Sequence, residues 1–138
     1  MQRSALRVEP FRAGAWAALQ VVAYAACVEA GLALAATFHD WRPDLGRGLF
    51  WWYYLVGFAG LALAANLLLE VPRIGRSAGG RLAVWGGVFA ALGAYALASW
   101  SSLPLAVPFV HGCALLAVVL REALGRWFAG RARRPTPA

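Results

Sequence analysis

Residues 13–38 read AGAWAALQVVAYAACVEAGLALAATF, and the reading of this stretch decides the fold. Its 26 residues hold one formal charge, Glu29, and one amide, Gln20. As an α-helix rising 1.5 Å per residue it extends about 39 Å, enough to cross a hydrocarbon core of about 30 Å with some tilt. Three comparable stretches follow, at residues 49–71, 82–101 and 104–128. The expected fold is all-α: a polytopic membrane protein built as one four-transmembrane-helix bundle, preceded by a flank at 1–12 and followed by a basic tail at 129–138 that is expected to be disordered.

Composition agrees. The 138 residues are 62% apolar and 14% charged, against roughly 45–50% and 25% in soluble domains. The net charge of +7 comes from 13 Arg, no Lys and 6 acids. The arginines sit at helix ends and form no solvated basic face interleaved with aromatics, which argues against nucleic acid as a partner. The lack of Lys suggests a GC-rich genome, and a bacterial cytoplasmic (inner) membrane is the expected location. The apolar stretch near the N-terminus is longer than a signal-peptide core of about 7–15 residues and contains Glu29, so it is expected to stay as helix 1.

The connecting segments carry turn chemistry. Residues 39–48 hold Pro43, Gly46 and Gly48 with nearly balanced charge. Five aromatics, Phe50 to Tyr54, open helix 2 and are expected at headgroup depth. Pro72 ends that helix, and a basic loop with Arg73, Arg76 and Arg81 follows. A tight turn at Ser101–Pro104 leads to helix 4, whose end beyond Leu120 reads as amphipathic.

Positive charge sets the expected orientation. The N-terminal flank and the second connector hold three Arg each and the C-terminal flank five, whereas the first connector balances two Arg with two Asp and the third holds none. Cytoplasmic segments concentrate Arg and Lys, so both termini are expected in the cytoplasm. Trp16, Trp85 and Trp127 then fall near the cytoplasmic ends, and Trp41, Trp51, Trp52 and Trp100 near the outer ends.

Lipid is as apolar as leucine, so helices must associate through close packing and interhelical hydrogen bonds. Gly57 and Gly60, with Gly86, Ala90 and Gly93, have the spacing of contact faces. Gln20 and Asn66 lie at similar depth and are expected to act as interhelical polar glue. Glu29 is the sharpest candidate for function, because an acid within a span costs about 2.5–3.5 kcal/mol to insert. Ala18, Ala25, Ala26, Ala33 and Ala36 share its side of the helix, suggesting that it faces protein. His111 and Tyr95 fall at comparable depth, so Glu29, His111 and Tyr95 form a candidate intramembrane polar site. The plainer alternative, packing roles for each, carries more weight.

No catalytic constellation, phosphate-cradling loop or metal motif is present in the sequence, and no enzyme activity is expected. Cys27 and Cys113 stand alone in helices without a CxxC pair. Haem at His111 would need a second axial ligand, and His39 lies outside the apolar spans, so no cofactor is expected. The expected partners are the lipid bilayer and other membrane subunits or further copies of the chain. The leading reading is a structural or accessory subunit of a larger membrane complex. The second is a small oligomeric transporter or channel with Glu29 as the ionisable pathway residue.

Overall fold

Pro10 opens helix α1 (Pro10–Thr37), and the Ala13 amide donates back to the Glu9 carbonyl at 3.1 Å. Proline is at home in a first turn, where its missing N–H has no intrahelical acceptor. α2 runs Leu49–Glu70, α3 Pro72–Gly75, α4 Ala78–Ser99 and α5 Ala106–Ala132. The structure, a computed structural model, describes residues 9–37, 49–99 and 106–132. The turn-rich segments expected at 39–48 and 101–104, with His39, Trp41 and Trp100, lie outside the described residues, as do 133–138 of the tail.

Three helical stretches are long and apolar enough to cross a membrane: Pro10–Leu34, Ala78–Ala98 and Val107–Ala132. A shorter apolar stretch, Tyr54–Glu70, belongs to α2. Among the long helices, α1 packs mainly against α2 and α5, and α4 packs against the same two, with the short α3 beside it. The four long helices therefore form a ring. Residues near the starts of α1 and α4 (Arg12, Arg81) meet residues near the ends of α2 and α5 (Glu70, Glu122), so neighbouring helices run in opposite directions.

Each helix turns one stripe inward at spacings of three and four residues, the helical repeat. On α1 the stripe is Ala13, Ala17, Gln20, Tyr24 and Val28; on α4 it is Trp85, Val88, Leu92 and Ala96. On α5 it is Val110, Cys113, Ala114, Ala117, Val118 and Arg121. Tyr24 stacks on Tyr54 with ring centroids 5.7 Å apart and touches Phe58 at 5.2 Å. Such aromatic pairs add directional attraction to simple contact.

Several expectations change. Tyr54, the last of the five aromatics, turns into the bundle and is fully buried against Tyr24 and His111. The side chains of Phe50–Tyr53 lie outside the described residues. The alanine side of α1 faces outward: Ala18, Ala26 and Ala33 are exposed and Ala25 is half-buried. When a helix is apolar all round, small residues alone do not reveal its inner side, and here Tyr24 and Gln20 fill that role. A Cβ added at Gly57, Gly60 or Gly86 would meet nothing within 4 Å, and Ala90 is exposed. These residues do not mediate packing within one chain. Gly93 differs, since a Cβ there would lie 3.8 Å from His111 Nε2.

The second connector is tighter than a loop. Pro72 starts the single turn α3 after extended Val71. Ser77 then caps α4, its Oγ accepting the Gly80 amide at 3.0 Å, which starts that helix four residues earlier than expected. At the other end of the chain, α5 continues to Ala132 through Gly125 and Gly130, with Arg131 over the Trp127 ring at 3.7 Å. The glycine this connector requires is Gly75, whose added Cβ would collide with the Leu69 carbonyl oxygen. Gly75→Ala should therefore lower stability by about 1–3 kcal/mol, the usual cost of overpacking. Gly57→Ala should stay within about 0.5 kcal/mol of the parent. Unfolding of both variants in mixed micelles checks this; equal effects would contradict the connector geometry.

Candidate functional site

Most side-chain hydrogen bonds and ion pairs of the described residues gather toward the end where α1 and α4 start and α2 and α5 finish. Asn66 is fully buried and central. Its Nδ2 donates to Gln20 Oε1 at 2.6 Å and to the Ala62 carbonyl at 2.8 Å. Its Oδ1 accepts Arg121 Nε at 3.0 Å. The structure thus brings Gln20 and Asn66 together and joins a buried arginine to them.

Arg121 links this buried triad to a wetter one. Its guanidinium donates to Glu122 Oε1 at 2.9 Å and lies 5.2 Å from the centre of the Trp16 ring. Trp85 Nε1 donates to the same carboxylate oxygen at 3.0 Å. Arg81 grips the other oxygen through Nε at 2.9 Å and a terminal nitrogen at 2.7 Å, and also donates to the Gly75 carbonyl at 2.8 Å. One carboxylate therefore accepts from three side chains on α4 and α5. Ionised partners make such bonds about twice as strong as neutral ones.

The register explains this convergence. Arg121 lies four residues after Ala117 and seven after Ala114, so the inward stripe of α5 carries it into the interior. Glu122, one residue on, turns toward α4. Both residues end the apolar run of α5, where sequence reasoning saw only an amphipathic end. Extending the stripe spacing through position 121 is the signal that finds the buried arginine.

Beside this network a cleft of about 670 Å³ opens between the ends of α1, α2, α4 and α5. Arg12, Arg76, Arg81, Arg121 and Arg126 line it, with Glu70 and Glu122. Five arginines against two glutamates leave a surplus of three positive charges. Trp16, Trp85, Leu69 and Leu82 form apolar walls. Glu70 pairs with Arg12 at 3.6 Å, a contact that is largely exposed on the arginine side.

The intramembrane site expected from the sequence is not assembled within the chain. Glu29 is exposed on α1 and forms no hydrogen bond or ion pair among the described residues. His111 is half-buried and uses Nδ1 locally, 3.1 Å from the Val107 carbonyl and 3.3 Å from the Tyr54 hydroxyl. Donation to that carbonyl one helical turn earlier orients the ring without an acid. Tyr95 is exposed on α4. The candidate site of Glu29, His111 and Tyr95 is thus corrected: matching depth does not bring them together, because Glu29 and Tyr95 face outward while His111 turns toward Tyr54. Among the described residues, the buried Gln20 Nε2 and Tyr24 hydroxyl find no hydrogen-bond partner. Cys27 and Cys113 are free thiols. Among the described residues no group of three His, Cys, Asp or Glu side chains is placed to hold a metal ion.

No family model, curated protein or solved structure matches this chain.

Proposed function

We propose that this chain is a structural or accessory subunit of a larger complex in the bacterial cytoplasmic membrane, with four helices crossing the bilayer and both termini in the cytoplasm. The alternating helix directions support that topology, because they gather Arg12, Arg76, Arg81 and Arg126 at one end of the bundle.

One observation carries the functional reading. Glu29 stands exposed in the apolar span of α1, eight residues or about 12 Å before the helix ends at Thr37. Facing lipid it would cost several kcal/mol, so a group outside this chain is expected to meet it. The open glycines of α2 and α4 supply surfaces on which another helix can approach closely. Tyr24, Tyr54, Phe58 and Leu92 are almost fully buried and fill the middle of the bundle. A second reading, an oligomeric transporter, also uses Glu29 and places it at an interface between copies.

The test is the mass of the intact chain extracted from its own membrane into lipid nanodiscs. Co-purification with unrelated membrane subunits at fixed stoichiometry is expected. A lone homo-oligomer would favour the transport reading, and a lone monomer would contradict both.

A further inference from the structure

We propose that the arginine-lined cleft at the network end of the bundle is a binding site for a phosphate group, carried either by a membrane lipid headgroup or by a soluble phosphate compound. Its volume of about 670 Å³ falls within the roughly 300–1,000 Å³ of small-ligand sites. Its surplus of three positive charges needs an anion. Arg76 and Arg126 have no acid partner among the described residues. Arg81 and Arg121 are already held in place by Glu122 and Asn66, so ordering them costs a ligand little. Guanidinium groups match phosphate oxygens in paired, planar hydrogen bonds, which favours phosphate over an unspecific counter-ion.

The walls fit an amphiphile as well as a bare anion. Trp16 is half-buried beneath Arg121, while Leu82, 76% exposed, extends the cleft onto the apolar surface of α4. A headgroup phosphate placed among the arginines would have its chains beside that surface. Basic pockets between membrane helices are the setting in which anionic headgroups bind.

The test uses the full chain in dodecyl maltoside micelles, which contain no phosphate, with two probes, added phosphatidylglycerol and inorganic phosphate. Binding is read by native mass spectrometry and by the shift in unfolding temperature. Arg76→Gln with Arg126→Gln should weaken binding about tenfold or more, since each charge-assisted bond lost approaches that factor. Both side chains are exposed and outside the Glu122 network, and the unliganded unfolding temperature verifies that the variant folds. Arg131→Gln, on α5 but outside the cleft, should bind like the parent chain. Variant-sensitive binding of phosphatidylglycerol alone identifies a lipid headgroup, and of inorganic phosphate a soluble ligand; either upholds the site. Binding of neither probe, parental affinity in the double variant, or equal loss in Arg131→Gln would overturn it.

Discussion

Replacing Glu122 with Leu is expected to lower the unfolding free energy by about 3 kcal/mol, the low end of the cost of breaking one side of a buried ion pair. The carboxylate accepts hydrogen bonds from Trp85, Arg81 and Arg121. The side chain of Arg121 is 7% exposed, and its charge would lose its carboxylate partner. Arg81, 31% exposed, can turn partly to water and contributes less. Glu122→Gln should fall between Glu122→Leu and the parent chain, because an amide oxygen still accepts a bond but carries no charge. Equilibrium unfolding in mixed micelles measures both. A loss under about 0.5 kcal/mol would show that water or lipid replaces the carboxylate, as at an exposed pair.

Asn66→Leu should cost about 2–4 kcal/mol, because two buried partners lose their bonds at about 1–3 kcal/mol each. Gln20 Oε1 loses its donor and Arg121 Nε its acceptor. Interhelical hydrogen bonds between neutral groups in membranes average only about 0.6 kcal/mol, so most of the effect must come through the guanidinium. Gln20→Leu provides the contrast. It removes one acceptor but also Nε2, a buried amide nitrogen with no partner. Its cost should be under half that of Asn66→Leu. If the two substitutions prove equal, Arg121 does not depend on Asn66.

The contrast between Gln20 and Glu29 shows what the sequence of α1 makes legible. Both are polar residues in one apolar helix, and composition marks both as costly. Gln20 shares a side with Tyr24 and Val28, and the structure turns that side inward. Glu29 shares a side with alanines, which fits a close helix contact and an outer surface equally well. Nothing in a helix that is apolar all round separates those cases. Soluble helices betray their inner face by polarity, whereas membrane-spanning ones do so only through shape complementarity with residues far away in sequence. The long apolar helices were legible because apolar length is local. The ends of α4 and α5 were not, because Ser77 capping and the Arg131–Trp127 contact override the glycines nearby. The Arg121–Glu122 network was half legible: the two charges were visible, but their partners Asn66, Arg81 and Trp85 come from other helices.

The exposed acid on α1 and the open glycines on α2 and α4 make the central claim directly measurable. A photo-crosslinking side chain placed in turn at Glu29, Gly60 and Gly86 reports what touches each position in the native membrane. Leu97, 73% exposed on α4, serves as a reference for a lipid-facing position. The account predicts crosslinks to another protein from position 29 and from at least one glycine position, with lipid adducts dominating at position 97. Lipid adducts alone at 29, 60 and 86 would contradict it, leaving the chain a self-contained bundle with no subunit at its outer faces.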